Sequence, residues 1–479
     1  MLIGLDLGTT AVKALLTDAD GTVIERASAP VGLQHSPDGG VEQDLEDIWE
    51  ACLAVLGLLG APSDLSAVTA LGVSSQGGAL QVTDADGQPL GPTISWLDCR
   101  GRDASRALTE ELGPDWFSSH IGHGAAGLTI GQILRLRDEA PAMVAPPNRI
   151  GWVGDAVVAR LCGRAAHDAT SLALGLMYNP WLDAADPELL TRLGLTEDRL
   201  PELLPACEPA GGLLPSVAAG TGLPAGIPVS PAVHDQYSSA LGCGAVHAGD
   251  VMFGAGTAWV LLAVTTDPAQ PVTPAGFVCR HPVPGLFGQM LSLVNGGSAV
   301  GWAVRLMGLE HAGGIDLDPL MSSVPPGADG LRFVPLLAPG SRLGPGRVTG
   351  LTLSHGREHL LRAVVEGLAC ELARHLHHLT DSGIPAGRLV MTGGASASRV
   401  TPQIVSDVTA LPVACTAEPD MSALGAAVLA RAMTEPGQSL AALSEAMAPP
   451  VRTFEPSADA VTYARLLEEY VEAFSSSEN

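Results

Sequence analysis

The chain has one lysine, Lys13, among 479 residues; arginine supplies the remaining full-time cations. Charged residues are scarce at 16%, and acidic ones dominate: 51 Asp+Glu against 25 Lys+Arg, a formal net charge of −26. A surface of that sign repels phosphate backbones and anionic headgroups, which argues against general affinity for nucleic acid or membrane. No run of 18 apolar residues occurs, so no spanning helix is expected. Met1-Leu2-Ile3-Gly4-Leu5-Asp6 has an early carboxylate and no basic region, unlike a signal peptide. The eight cysteines, at 52, 99, 162, 207, 243, 279, 370 and 415, form no C-x-x-C pair and no Cys/His cluster at zinc spacing. Reduced, buried, structural thiols in a cytoplasmic protein are expected. Glycine and proline together make up roughly a fifth of the chain, below the ~25–30% that suggests disorder.

The length is about three times the ~150-residue modal domain, which suggests two or three domains, and the 46% apolar content supplies ordinary cores. Ile3, Leu5 and Leu7 alternate, Gly8-Thr9-Thr10 breaks the pattern, and Val12, Ala14 and Leu16 resume it. That pattern predicts strand, tight turn, strand, with a third strand from Val23 after the turn Asp18–Gly21. Residues 44–59 and 356–380 carry helical stripes of apolar side chains. Near residue 250 an apolar strand runs into Gly254-Ala255-Gly256-Thr257, again followed by an apolar strand. Two copies ~250 residues apart are too distant for a solenoid and suit a duplicated α/β domain, cut near 242–250. The stretch Met433–Pro456 is rich in Pro, Ala and Ser; residues 457–474 read as an amphipathic helix, and Ser475–Asn479 as a frayed end.

Five segments carry chemistry. Gly8, Thr9 and Thr10 form a turn whose backbone N–H groups can wrap phosphates, with Asp6 placed for Mg²⁺ through water and Lys13 for a phosphate charge; a plain hairpin is the alternative. Gly256-Thr257 repeats the turn, and the pair suggests two domains facing one nucleotide across a cleft. Leu389–Thr392 runs into Gly393-Gly394-Ala395-Ser396, a strand–helix turn where glycines admit a flat ligand, or an ordinary connection. In Val233-His234-Asp235-Gln236, Asp235 ends a strand and reads as a general base, a helix N-cap, or both; His234 reads as a structural histidine or a site residue. Around Gln76, Trp96, Asp98 and Arg100, the indole offers a platform for a carbon chain and the others offer donors and acceptors for hydroxyls. Asp98 and Arg100 serve equally as a surface ion pair capping the next helix.

Taken in order from residue 4 to about 432, these segments resemble the FGGY carbohydrate kinases, within the superfamily of actin, hexokinase and the heat-shock chaperone ATPases. The segments are Asp6-x-Gly8-Thr9-Thr10, Trp96-x-Asp98-x-Arg100, Asp235, Gly256-Thr257, Glu366-Gly367-Leu368, Gly393-Gly394-Ala395 and Ala423-Leu424-Gly425-Ala426-Ala427. The resemblance implies two duplicated actin-like (ribonuclease H-like) ATPase domains around a central cleft. Residues 1–243 would be the N-terminal domain, with the sugar and the first phosphate loop. Residues 244–435 would be the ATP-binding C-terminal domain, and 436–479 a helical tail. It further implies Asp235 as catalytic base and Asp6 with Asp235 at Mg²⁺. Gly8, Thr9, Thr10, Lys13, Gly256, Thr257, Gly393, Gly394 and Ser396 would meet ATP, and Gln76, Trp96, Asp98, Arg100, His234 and Gln236 the sugar. The implied partner is a small sugar, a homodimer being left open.

The sequence also departs from the family. Where xylulose kinases carry Met-His-Gly after the matching glutamine and glycerol kinases carry Arg-Glu, this chain has Gly77-Gly78. The expectation drawn is extra room, hence a substrate at least as large as a five-carbon ketose of the xylulose or ribulose type, with polyols the main alternative. Gly340-Ser341-Arg342 matches the family's Gly-Glu-Arg stretch only loosely. Of a different class, an actin- or chaperone-like ATPase lacks an obvious peptide-binding extension here. A silent sugar sensor would not need both Asp6 and Asp235.

Overall fold

The computed structural model describes residues 1–60, 64–293, 295–309, 316–337 and 345–475, the last three without their side chains. Gly340-Ser341-Arg342 and residues 476–479 lie outside the described residues. Contacts group the chain into two units. The first is Met1–Ala248 with Val264–Gln289 and Asp420–Pro449; the second is Gly249–Ala263 with Met290–Pro419 and Pro450–Asn479. A linear division at 243 and 435 groups residues differently, because the helix Met421–Thr434 packs on strands of the first unit.

In the first unit, Leu2–Leu7 pairs antiparallel with Ala11–Thr17, which pairs antiparallel with Val23–Pro30. On its other side run the parallel strands Ala70–Ser75, Pro228–His234, Ala166–His167 and Glu202–Leu203. Every residue of Leu2–Leu7 is buried, as expected of a strand covered on both faces. The helix Leu45–Leu59 starts where the Asp44 carboxylate accepts the Glu46 N–H, and it ends at Gly60. Leu45, Ile48, Cys52, Val55 and Leu56 form one cluster with Ile3, Leu5, Val12 and Ala14.

The alternate residues of the strand point the other way. There Gly4 and Gly72 lie under the helix Met421–Thr434: a Cβ at either would come within 1.8 Å of the Ala423 or Ala426 carbonyl oxygen. The helix backbone therefore rests directly on the strands, a position that only glycine beneath it permits.

In the second unit, Asp250–Ala255 pairs antiparallel with Trp259–Thr265 and parallel with Arg388–Thr392. Val413–Thr416 adds a further parallel strand and Val451–Phe454 an antiparallel edge. The long helix Arg357–Asp381 packs against the helices Thr401–Thr409 and Ala460–Ser475. Both units are α/β, and each holds a Gly-Thr hairpin whose first strand also has a parallel neighbour. The strand–turn–strand repeat read from the sequence is therefore present in both.

The expectation of buried thiols holds for five cysteines. Cys99, Cys162 and Cys207 are partly accessible, and no cysteine is in a disulfide. No helix among the described residues is long and apolar enough to cross a membrane.

Candidate active site

The C-terminal ends of the parallel strands in the first unit carry its carboxylates. Asp6 is the penultimate residue of Leu2–Leu7, with 9% of its surface exposed, and its Oδ1 accepts the Ser74 hydroxyl at 2.8 Å. Burial, and next the charge of Asp235, push its pKa up to about 7; Ser74 and Lys13 pull the other way. Asp235 follows the strand Pro228–His234 as the first residue of the helix Asp235–Gly242. Burial raises its pKa to about 6, against hydrogen bonds from Gln236. The N-cap residue of that helix is His234, with no side-chain capping bond, so Asp235 is not the cap. Its carboxylate keeps 27% exposure, enough to meet a ligand.

His234 Nε2 lies 3.1 Å from Asp235 Oδ1. Burial drives the imidazole pKa down to about 3, so the ring is neutral at pH 7. Beside a carboxylate the tautomer with its proton on Nε2 is the favoured one. Thr170 Oγ1 fixes the His234 backbone by accepting its N–H at 2.9 Å.

The ring also explains Gly77. A Cβ at residue 77 would fall 2.6 Å from His234 Cδ2 and 2.7 Å from Leu174 Cβ. The space that the Gly77-Gly78 pair was expected to leave open at residue 77 is filled by His234 and Leu174. Gly78 has φ +71°, a conformation that favours glycine.

Around these groups the predicted substrate and phosphate residues form two connected networks. The Thr9 hydroxyl donates to Gln76 Oε1 at 3.0 Å and accepts from Trp96 Nε1 at 3.1 Å. Gln76 Nε2 donates to Gln43, and Gln43 Nε2 donates to the Thr9 carbonyl. Gln76 is thus buried inside the turn's support, while Trp96 is anchored by its N–H and 43% exposed. Gly8 N–H closes the turn onto the Ala11 carbonyl, and Thr10 is exposed.

The Asp98 carboxylate is fully buried and takes the Val41 N–H, the Arg100 guanidinium and Gln132 Nε2. Hydrogen bonds from Arg100 and the Val41 N–H hold its pKa below the usual carboxylate value against desolvation, the largest influence. Arg100 also reaches Glu42 at 2.5 Å, so the pair locks the loop to Val41–Gln43. Helix Arg102–Leu112 has Gly101 as its N-cap residue, with no side-chain cap from Asp98. Lys13 Nζ sits 2.7 Å from Asp420 Oδ1, and Arg26 holds the other oxygen of that carboxylate.

The second unit offers room. A cavity of about 1270 Å³ is lined by Gly256, Thr257, Ser298, Arg305, Gly394 and Arg399, among others. Gly256 and Thr257 are exposed. Their carbonyls accept the N–H groups of Gly297 and Ser298, which open the helix Gly297–Leu306. A Cβ at Gly297 would come 2.7 Å from the Gly256 oxygen. Gly393 has φ +86°, and a Cβ there would touch the Ala255 carbonyl at 3.0 Å. The Ser396 hydroxyl donates to the Gly393 carbonyl at 2.7 Å, holding the turn from inside. Asp318 accepts the Ser398 hydroxyl and the Arg399 N–H, clamping the loop that follows.

Sequence reading missed Ser74, Thr170, Ser298, Arg305, Asp318 and Arg399. The strand–Gly296-Gly297–helix pattern repeats that of Gly393-Gly394 and marks Ser298. Ser74 and Arg399 border the segments singled out for Gln76 and for Gly393-Gly394; Thr170, Arg305 and Asp318 lie in segments with no local signal. A separate cavity of about 790 Å³ in the first unit, beside Trp49, Gln81 and Arg160, contains none of the predicted residues.

The chain matches the FGGY family of carbohydrate kinases, N-terminal domain, over residues 1–242, and the C-terminal domain of the same family over residues 251–434. It is 30% identical to the xylulose kinase of Escherichia coli K12 over 456 residues, covering 92% of this chain and 91% of that one. It is 30% identical to the glycerol kinase of Symbiobacterium thermophilum, covering 93% and 92%. Its structure resembles the crystal structure of xylulose kinase from Rhodospirillum rubrum with a TM-score of 0.88 at 28% identity, covering 99% and 98%. The chain therefore belongs to the FGGY family of carbohydrate kinases, ATP-dependent enzymes that phosphorylate sugars.

Proposed function

We propose that this kinase transfers the γ-phosphoryl group of Mg-ATP to a hydroxyl of a five-carbon ketose of the xylulose or ribulose type, with Asp235 as general base. The observation that carries the reading is the Asp235 carboxylate. It stands at a strand end, is partly exposed, lies 3.1 Å from His234 Nε2, and places its charge on Asp6. A base with a pKa near 6 is ionised at pH 7 yet basic enough to take a proton as the acceptor oxygen attacks.

Asp6 and Asp235 are a fitting pair for Mg²⁺. The charge of Asp235 raises the proton affinity of Asp6, which a divalent cation would reverse. Among the described residues they belong to no cluster of three ligating side chains, as suits an ion that keeps its waters and takes phosphate oxygens. When bound, the ion would neutralise charge on the transferred phosphoryl group. Asp235 orients and deprotonates the acceptor, and Trp96 gives the carbon chain an apolar face. On the nucleotide side, Gly256, Thr257, Gly393 and Gly394 leave backbone open to ATP, while Ser396 supports its turn. Lys13 would exchange Asp420 for a phosphate. Asp98, Arg100 and Gln76 act on the sugar side chiefly by fixing the walls that carry Trp96 and Thr9. Gln236 and His234 set the Asp235 carboxylate.

The preference for a pentulose rests on the two xylulose kinases at 30% and 28% identity, since room at Gly77 no longer supports it. Cytoplasmic activity, without nucleic-acid or membrane partners, fits the acidic charge. Homodimer formation is checked by light scattering. The test of the substrate is coupled ADP release with xylulose, ribulose, rhamnulose, fuculose, erythritol, gluconate and glycerol. A pentulose should give the highest kcat/KM. A tenfold advantage for glycerol or gluconate contradicts the pentulose assignment.

A further inference from the structure

The strand Pro228–His234, which delivers Asp235, outruns its neighbour Ala166–His167. The two run parallel with His167 opposite Ala232, and the shorter strand stops there. The Asp168 N–H still reaches the Ala232 carbonyl, at 3.0 Å. Backbone groups of alternate residues face the same side of a strand, so the His234 N–H comes next on that side, where the ladder has ended. A buried backbone donor without an acceptor is costly, and something has to take this one.

The group that takes it is the Thr170 hydroxyl, 2.9 Å away in the short helix Ala169–Leu174. That hydroxyl has one proton, and it goes to Asp168 Oδ1 at 2.6 Å, which turns an oxygen lone pair toward His234. One residue on, the Ser171 hydroxyl donates to the Ala232 carbonyl at 2.9 Å. Asp168, Thr170 and His234 are all buried, so bulk solvent is no substitute. The helix does not need the Thr170 hydroxyl for its cap, because Asp168 Oδ1 already accepts the backbone N–H groups of Thr170 and Ser171. The hydroxyl serves the strand end instead. What it holds there is the backbone of His234, whose ring lies against Gly77 and whose Nε2 is 3.1 Å from Asp235 Oδ1.

We infer that Thr170, oriented by Asp168, is a positioning residue for phosphoryl transfer: its hydroxyl stands in for the missing strand and fixes the end of Pro228–His234, so that the Asp235 carboxylate is aimed at the acceptor hydroxyl. This rests on the reading of Asp235 as the base. Thr170 touches neither substrate nor nucleotide in this role and acts only through His234 and Asp235.

The experiment combines kinetics and crystallography of the full chain, using whichever sugar of the panel the parent turns over fastest. Thr170→Val keeps the shape of the side chain and removes the hydroxyl. Its kcat should fall by about tenfold or more while the KM for ATP stays at the parent value. Thr170→Ser, which restores the hydroxyl, should recover most of the loss. Added to Asp235→Asn, Thr170→Val should lower the residual turnover by less than about twofold, because both changes act through one carboxylate. In crystals of Thr170→Val, Asp235 Oδ1 and His234 Nε2 should part beyond about 3.5 Å. Parent-like kcat in Thr170→Val overturns the inference, as does an equal loss in Thr170→Ser, a full further loss on top of Asp235→Asn, or an unchanged separation in the crystal. Near-normal turnover in Asp235→Asn alone would instead sink the base reading, and the crystallographic separation would then decide the positioning by itself. If Thr170→Val does not fold, Asp168→Asn takes its place: it weakens the acceptor that orients the hydroxyl and leaves the helix cap an oxygen. A fall in kcat of about threefold or more is then expected, and no fall overturns the inference.

Discussion

The chain uses the Gly-Thr turn twice, and the two turns are supported in different ways. In the first unit, Thr9 is drawn into side-chain bonds with Gln76 and Trp96, and Gln43 caps its carbonyl. In the second, Gly256 and Thr257 stay exposed, and their carbonyls take the backbone N–H groups of Gly297 and Ser298. The first turn sits beside two perturbed carboxylates and an indole; the second borders a cavity of about 1270 Å³ lined by glycines, Arg305 and Arg399. On the proposed function, one local motif serves acceptor chemistry in one place and ligand room in the other. Its neighbours, not the motif, decide which.

Substitutions on the two sides should therefore fail differently. Asp235→Asn keeps the shape of the side chain and removes the base. Turnover should fall by the ~10²–10⁴ associated with general acid–base catalysis, with sugar and ADP binding retained in calorimetry. Near-normal turnover would take Asp235 out of the mechanism.

Gly77→Ala and Gly297→Ala form a matched pair. The first presses a methyl into the His234 ring and Leu174. It should lower kcat/KM for the sugar by about tenfold or more, because misplacing a reacting group by an ångström is that costly. The second presses against the Gly256 oxygen and should raise the KM for ATP while sparing that for the sugar. Identical kinetic signatures would erase the division of labour between the turns.

A pH series sharpens the same contrast. As the proposed base Asp235 would work ionised, so kcat/KM for the sugar should fall about tenfold per unit as pH drops below about 6. Asp6 acts on stability with the opposite sign. Its folded pKa of about 7 lies above its ordinary value, so the folded chain binds the proton more tightly. Its contribution is most favourable below about pH 4 and is lost as pH rises through 7. Asp235, Lys13 and Asp420 are the charges that act on it. In metal-free buffer Asp6→Asn should therefore raise Tm at pH 8 relative to the parent, with the gap closing toward pH 4; no gap at pH 8 would contradict the burial argument.

The smallest effect on stability is expected at Lys13. Its ion pair with Asp420 is 41% exposed on the lysine side, so Lys13→Ala should change stability by less than about 1 kcal/mol. The same variant should weaken ATP binding or slow turnover; unchanged ATP kinetics would make Lys13 an ordinary surface residue.

Much of this was legible because its physics is local. Alternation placed Leu2–Leu7 and Ala11–Thr17, and apolar stripes placed helices within a few residues of Leu45–Leu59, Arg357–Asp381 and Ala460–Ser475. What stayed hidden depends on distant partners. Ala423-Leu424-Gly425-Ala426-Ala427 entered as a segment of the family resemblance and carries no sign that it rests on Gly4 and Gly72. The glycines show why only when a Cβ is placed 1.8 Å from its backbone. Gly77-Gly78 misled for a similar reason. A glycine in a sequence suggests vacancy, whereas here the neighbouring ring of His234 occupies the space. Asp98 and Arg100 were read as donors and acceptors for hydroxyls or as a surface ion pair, but their engagement with Val41, Glu42 and Gln132 is a tertiary fact.

The central claim is that a sugar hydroxyl, rather than water, receives the phosphoryl group. Phosphorus NMR of the parent protein with Mg-ATP, with and without xylulose, measures this directly. Growth of a sugar-phosphate resonance in step with ADP, at a rate that collapses in Asp235→Asn, is the result expected. ADP accompanied by inorganic phosphate, at a rate indifferent to any sugar in the panel, would contradict the account and leave an ATPase in its place.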